Sequence, residues 1–251
     1  MDVDLAALHR EGTGTPLVFL HGFGGTAQDY ADIVRHPHLS DRPVLAYDAP
    51  GCGVSTCNDL SALSIEFLLQ VALAALDAAG IDRFHLIGHS MGGLTGLLLA
   101  EQEHARVATF TDIEGNLAPE DCFLSRQIVA HPDQGPKDFM AGFAERAAQS
   151  EEPGSALYAT SVQHKVHPDA VAPIFNSLVR LSDHGDLLAR FLALSMPRTF
   201  VYGAHNRHLS YLPQLAAVGL SYEIGDSGHW PMYSNLPALR TCITDMVALQ
   251  I

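Results

Sequence analysis

Positive charge is what this 251-residue chain has least of: Lys plus Arg number 14 against 28 Asp plus Glu, a formal net charge of −14. That field repels a phosphate-rich partner, which argues against a nucleic-acid-binding protein. Long apolar runs are missing as well, none approaching the ~20 residues that cross a bilayer, so no membrane association is expected. The first residues, Met-Asp-Val-Asp-Leu, carry acid where a secretory signal carries base, and the expected location is the cytoplasm. Cysteine is sparse. Cys52, Cys57, Cys122 and Cys242 have neither CxxC nor zinc-ligand spacing and read as four buried thiols, not as a disulfide or metal site. Fourteen histidines contain no HExxH or comparable pattern, so neither a metal nor any other cofactor is expected. Internal repeats and low-complexity tracts are absent too.

What is present is the composition of an ordinary soluble globule, 47% apolar and 17% charged, long enough for one large α/β domain. Residues 3 to 10 read as a weak strand before the Gly-Thr-Gly turn at 12 to 14. A short apolar run, residues 16 to 20, reads as a buried parallel strand entering His21-Gly-Phe-Gly-Gly25, a glycine-dense turn that lets backbone approach a ligand closely. A helical pattern over 26 to 36, a strand over 42 to 48, and a compact Pro/Gly loop at 48 to 55 follow. An amphipathic helix over 63 to 79 stops at Gly80. Strands over 106 to 113, 198 to 203 and 220 to 224, with helices over 208 to 217 and from about 235, complete an alternating pattern. Between residues 116 and 196 that rhythm is lost. Helix-like segments near 120 to 130, 136 to 149, 153 to 162 and 168 to 194 are punctuated by Pro119, Pro132, Pro136, Pro153, Pro168 and Pro173. A mostly parallel, doubly wound sheet is therefore expected, interrupted by a helical lid after the strand ending at Glu114: core 1–115 and 197–251, lid 116–196, one structural domain overall.

The chemistry starts at residues 84 to 93, Phe-His-Leu-Ile-Gly-His-Ser-Met-Gly-Gly, where an apolar run breaks into Gly-x-Ser-x-Gly and a helix-forming run follows. A serine on such a strained strand-to-helix turn stands clear of the sheet, and Gly88 and Gly92 must be small to avoid collision. The Met91 N–H lies at the helix start, where unpaired donors favour developing negative charge. The second segment is Gly225-Asp-Ser-Gly-His229-Trp-Pro, on the loop after the last strand. Ligands in open α/β sheets bind beyond the carboxyl ends of the strands, so His229 can enter the crevice of Ser90 and act as its general base.

With these motifs, together with residues 21 to 25 and Asp48-Ala-Pro-Gly-Cys-Gly53, the chain resembles the α/β-hydrolase superfamily, in its small lidded serine hydrolase branch (esterase- and lipase-like). The likeness covers residues 1 to 115 and 197 to 251. It implies Ser90 as nucleophile, His229 as base, and the backbone N–H groups of Phe23 and Met91 as the oxyanion hole. The acid departs from the common pattern. Many relatives have Gly-x-x-Asp after the strand near 200, whereas here the sequence is Gly203-Ala-His-Asn206, and asparagine cannot supply the charge that stabilises an imidazolium. Glu114 is the expected substitute, since the chain resembles certain dehalogenases and lipases that take their acid from that position. Asn206 as a neutral orienting partner is the alternative. Asp112, on the same face by strand alternation, lies a pleat deeper and is expected to pair with core backbone, and Asp226 sits too near His229 along the turn. Asp48, His21 and His89 read as loop-bracing scaffold. The lid aromatics and methionine, Phe123, Phe139, Met140, Phe143, Tyr158 and Phe175, are expected on its underside.

The resulting expectation is a cofactor-free serine hydrolase, monomer or homodimer, that cleaves a carboxylic ester, lactone or thioester of a small, largely apolar molecule through an acyl-enzyme. Carbon–carbon bond hydrolysis, a biosynthetic cyclase or lyase, and a ligand-binding receptor on the same fold are the alternatives.

Overall fold

The computed structural model describes residues 2–130 and 135–249; the expected break at Pro132 lies outside them. Nine strands are present among these residues: β1 (Val3–Asp4), β2 (Ala7–Arg10), β3 (Leu17–Leu20), β4 (Val44–Tyr47), β5 (Thr56–Cys57), β6 (Phe84–His89), β7 (Val107–Ile113), β8 (Arg198–Gly203) and β9 (Ser221–Ile224). Seven form one sheet in the order β2-β4-β3-β6-β7-β8-β9. Only the edge strand β2 runs antiparallel, against β4. The segment expected as one weak strand over 3 to 10 is split. Its first half, β1, leaves the main sheet to pair with β5, while β2 alternates exposed and half-buried residues as an edge strand does.

Strands β3, β4 and β6 are buried along their whole length, because a parallel sheet is covered on both faces. The chain leaves β3 for β4 on one side and returns to β6 on the other, so the loops after β3 and β6 diverge and open a crevice. On one flank the helix Ile65–Ala78 is capped by the Ser64 side chain, which accepts the Phe67 N–H, and ends where Gly80 takes φ +62°. The expected helix over 26 to 36 is a 3-10 turn, Ala27–Tyr30, followed by one short α-helical turn, Ala31–Val34.

Between β7 and β8 the described residues are helical: Ser125–Ala130, Pro136–Ala148, Pro153–Ala159, Val162–Lys165, Pro168–His184 and Leu187–Ala193. The segment expected as one helix over 168 to 194 breaks at Gly185. A side chain there would lie 2.4 Å from the Leu181 carbonyl, and Asp186 turns to φ 47°, while Pro173 is absorbed inside the longer helix. No described helix is long and apolar enough to cross a membrane. Cys52, Cys122 and Cys242 are buried thiols as expected, and Cys57 is half-buried, because β5 lies in the small outer sheet.

Candidate active site

Ser90 closes β6 and caps the helix Met91–Gln102 with φ 52° and ψ −118°, a conformation that side chains other than glycine rarely adopt. The turn is pinned by the Ser90 N–H donating to the Ile113 carbonyl of β7 at 2.9 Å. As the first helical residue, Met91 keeps an N–H with no intrahelical acceptor. Met91 and Phe23 line one cavity with Ser90 and His229, a space of about 40 Å³ completed by Asn116, Asp121, Phe123, Leu124, Ser125, Tyr158, Phe175, Leu178 and Trp230. Sequence and structure thus bring four of the five central positions to one wall.

The turn carrying Phe23 is set by a histidine. His21 Nε2 accepts the Ala49 N–H at 2.7 Å, which forces the proton onto Nδ1, and Nδ1 donates to the Gly22 carbonyl at 2.7 Å. The Gly25 N–H donates to the same carbonyl at 2.9 Å. Two donors therefore fix the orientation of the peptide whose other end is the Phe23 N–H. Burial lowers the His21 pKa, which keeps the ring neutral and this tautomer in place. The Asp48 carboxylate accepts from the Ala27 and Val54 amides at 2.9 and 3.1 Å, bracing the loops on either side.

His89, one residue before Ser90, reaches the other way. Its Nε2 donates to the His229 carbonyl at 2.8 Å, and burial, with the neighbouring His229 ring, lowers its pKa to about 3. The His229 loop is held a second time where it crosses the end of β8: a side chain at Gly203 would meet the Gly228 carbonyl at 2.3 Å. The His229 ring then lies with Nδ1 3.5 Å from Glu114 Oε2. That is longer than a formed hydrogen bond, and such contacts commonly tighten when ligand binds.

Glu114 follows β7 at φ 51° and is buried. Its Oε1 accepts the Gly203 N–H at 2.7 Å and its Oε2 accepts Asn206 Nδ2 at 2.9 Å. The two candidates for the acidic position are therefore in contact: Asn206 donates to the carboxylate, and Glu114 stands against the imidazole. Asp112 points elsewhere. It is fully buried against Gly93 and Gly115; the Gly115 amide is the backbone group that acts on it, as expected of core backbone, yet among the described residues neither oxygen meets a donor in full hydrogen-bond geometry. The two glycines make the room it occupies: a side chain at Gly93 or Gly115 would lie 2.2 or 2.1 Å from Asp112 Oδ1. Burial, then the nearby Asp121 charge, raises its pKa well above the ordinary value. Because the folded pKa lies above the unfolded value of about 4, the folded state loses stability as pH rises from there toward the folded pKa. Asp112→Asn, which cannot ionise, is expected to gain stability relative to the parent as pH rises from 5 to 7.5, read from urea midpoints; an unchanged difference between the two pH values would show that Asp112 is ionised in the fold.

Of the six side chains expected beneath the helical block, Phe139, Met140, Phe143, Tyr158 and Phe175 are buried, and Tyr158 and Phe175 line the cavity. Phe123 is the exception at 56% exposed: it stands at the cavity mouth, its ring edge-on to His229 with centroids 5.9 Å apart. Three polar cavity residues went unnoticed in the sequence. Asn116 donates from Nδ2 to Ser182 Oγ at 3.2 Å and to Cys122 Sγ at 3.5 Å. Asp121 accepts the Leu117 and Ala118 amides, both at 2.8 Å, and the Tyr211 hydroxyl at 2.9 Å. Burial raises its pKa to about 6. Ser125 is the third. The available signal was position, since all three follow closely on Glu114 at a strand's carboxyl end. Among the described residues no group of three His, Cys, Asp or Glu side chains is placed to hold a metal ion.

The model of the alpha/beta hydrolase fold family matches residues 15–153, more than half of the chain. The chain belongs to that family. Within the family its curated relatives are partial matches: 41% identity over 99 residues to the dihydrolipoyllysine-residue acetyltransferase component of the acetoin cleaving system of Pseudomonas putida, and 34% over 129 residues to the putative carbamate hydrolase RutD of Stutzerimonas stutzeri. These cover 39% and 49% of the chain and span only 26% and 48% of the relatives' own lengths. A 2-succinyl-6-hydroxy-2,4-cyclohexadiene-1-carboxylate synthase of Enterobacter sp. is 26% identical over 94% of the chain and 92% of its own length. Among α/β-hydrolase structures, the N-acyl homoserine lactonase AidH, an E219G mutant complexed with N-hexanoyl homoserine, superposes with TM-score 0.79 at 18% identity, over 98% of this chain and 93% of that one. The enol-lactonase of Burkholderia xenovorans LB400 gives 0.75 at 20%, over 98% and 97%. At these identities the likeness is one of fold.

Proposed function

We propose that this α/β-hydrolase-fold protein is a serine hydrolase that cleaves an ester, lactone or thioester bond of a small, uncharged acyl compound. The observation that carries the reading is the elbow: Ser90 is held at φ 52° in a cavity shared with His229, whose Nδ1 faces Glu114. With a carboxylate at Nδ1 the imidazole keeps its proton there and offers the Nε2 lone pair, the tautomer a general base needs. Ser90 Oγ attacks the carbonyl carbon as Nε2 takes its proton. The new oxyanion is received by the amides of Phe23 and Met91, the first oriented by His21 and the second by the helix start. The imidazolium, stabilised by Glu114, protonates the leaving group. Water then repeats the sequence on the acyl-enzyme and restores Ser90. The block of residues 116–196 acts as a lid over this chemistry.

The cavity lining bears on the substrate. Among the described residues its wall is mostly aromatic and aliphatic, contains no lysine or arginine, and includes Asp121. Moving a carboxylate-bearing acyl group into it would cost desolvation with no cation in return. This speaks against the synthase reading that the 26% identical relative raises, whose named product carries a carboxylate. The lining's chemistry suits a neutral alkyl ester or lactone, with Asn116, Asp121 and Ser125 available to a polar group on it.

The test is covalent. A fluorophosphonate is expected to label the folded protein stoichiometrically at Ser90 and to abolish turnover of neutral acyl esters, lactones or thioesters assayed as a panel. Esters whose acyl group ends in a carboxylate should give kcat/KM lower by ~10² or more. Folded protein that resists labelling would end the hydrolase reading; equal rates on both kinds of ester would end the argument from cavity charge.

A further inference from the structure

Tyr158 is fully buried in the lid helix Pro153–Ala159, yet its hydroxyl donates not to the lid but to the Phe23 carbonyl, 135 positions earlier, at 2.8 Å. The same ring is stacked on Trp230, next to His229, with centroids 4.5 Å apart and planes at 23°. One side chain thus touches both loops that carry the proposed chemistry. The surrounding glycines show how closely these parts are fitted. A side chain at Gly24 would lie 2.4 Å from the Tyr158 hydroxyl, one at Gly154 would lie 3.1 Å from the Trp230 carbonyl, and one at Gly228 would lie 3.2 Å from Glu152.

A second tie lies one short helix further on. Lys165 Nζ is 3.2 Å from Asp29 Oδ1; the other oxygen of that carboxylate accepts the Thr26 N–H at 2.8 Å, just beyond the 21–25 turn. Tyr233, four residues past His229, donates to Asp29 Oδ1 at 2.7 Å. Lid, Phe23 turn and His229 loop therefore meet at two points, Tyr158 and Asp29.

We infer that Tyr158 and Lys165 are positioning residues through which the seated lid holds the Phe23 turn, so that the oxyanion hole is complete only when the lid is down. His21 fixes the near side of the turn from within the core, through the Gly22 carbonyl. Tyr158 fixes the next peptide, through the Phe23 carbonyl, from the lid. Without it the torsions of Phe23 and of Gly24, which has φ +72°, are free to let the amide swing off the developing oxyanion. The energetic consequence falls on the transition state, where the charge is, and not on ground-state binding.

This inference rests on the serine hydrolase reading, and the experiment separates the two. Tyr158→Phe keeps the ring stacked on Trp230 and removes only the hydroxyl. It is expected to lower kcat on a neutral ester about 10-fold with KM within 2-fold, less than outright loss of an oxyanion donor. Affinity for an alkylboronic acid, which forms a tetrahedral adduct on Ser90, should fall in parallel with kcat. Trp230 is the sole tryptophan, so its emission reports the lid directly, and Tyr158→Phe should leave it unchanged. Placing p-aminophenylalanine at 158, which retains a donor, should recover most of kcat. Should Tyr158→Phe not fold, Lys165→Met, which cuts the other tie, carries the test, with the same direction expected in kcat and boronate affinity. Wild-type protein that reacts with fluorophosphonate, while the folded variant keeps its kcat and boronate affinity, overturns the inference alone. Wild-type protein that takes up no fluorophosphonate overturns both.

Discussion

Replacing Glu114 by Gln is expected to lower kcat by about 10³- to 10⁴-fold, the scale on which a serine hydrolase suffers when the group behind its histidine loses its charge. Two effects add. The imidazolium formed during attack no longer faces a negative charge, and one of the carboxylate's two acceptor roles is broken. Oε1 receives the Gly203 N–H and Oε2 receives Asn206 Nδ2. An amide can accept only on one side, so one of those donors would confront an NH₂ group in a buried place. Asn206→Ala removes a donor and leaves the charge, and is expected to cost only about 10-fold. The most informative variant is the exchange of both. Asn206→Asp alone would set two carboxylates against each other, whereas combined with Glu114→Gln it returns the negative charge to the position common among relatives, with the amide now donating to it. The double variant is expected to recover at least about 10-fold in kcat over Glu114→Gln alone. Steady-state kinetics on one ester decide it. An equal loss in Glu114→Gln and Asn206→Ala, or a double variant worse than either single one, would move the acid away from Glu114.

A second large effect is expected in stability. Gly92→Ala should destabilise the fold by about 3 kcal/mol, or ~6–12 °C in Tm for a chain of this size, although alanine is the better helix former. The cause is backbone. A Cβ at Gly92 would lie 2.2 Å from the Leu20 carbonyl oxygen and 2.6 Å from that of His21, where β3 runs into the Phe23 turn. Neither atom belongs to a side chain that can rotate away. Gly80 supplies the control: it has φ +62°, and a Cβ there meets nothing within 4 Å. Gly80→Ala therefore carries only the left-handed backbone cost, about 1 kcal/mol. Thermal melts of the two variants, with fluorophosphonate labelling of each, separate crowding from backbone preference. If Gly92→Ala melted no lower than Gly80→Ala, the elbow would have slack that the distances deny. Labelling should survive in Gly80→Ala and be lost or slowed in Gly92→Ala, because the displaced atoms belong to the turn that carries Phe23.

Much of the fold was legible because its signals are local. Buried parallel strands read as short apolar runs, glycine marks the sharp turns, and a strand, turn and helix around Ser90 need only ten consecutive residues. Boundaries within the helical block were poorer. Gly185, crowded against the Leu181 carbonyl, ends a helix that periodicity alone would continue, whereas Pro173 is tolerated inside one. Phe123 was misplaced for a related reason. Helical spacing shows that a residue shares an apolar face, and says nothing of whether that face ends at a cavity mouth.

Asn206 marks the limit more sharply. In sequence, Glu114 and Asn206 are candidates for one role, with charge favouring Glu114, and nothing local shows that the two meet. The fold sets β7 beside β8, and the two side chains become partners, one charged toward His229 and the other donating to it from behind. By itself the sequence determined the family, the strained serine and the order of the site segments, because each depends on residues adjacent in the chain. Only the tertiary structure decided that Glu114 and Asn206 meet beside the imidazole, that Asp112 is fully buried, and that the Tyr158 hydroxyl reaches the Phe23 carbonyl. Those are contacts between distant segments, whose distances are fixed by strand order and packing and not by any spacing along the chain.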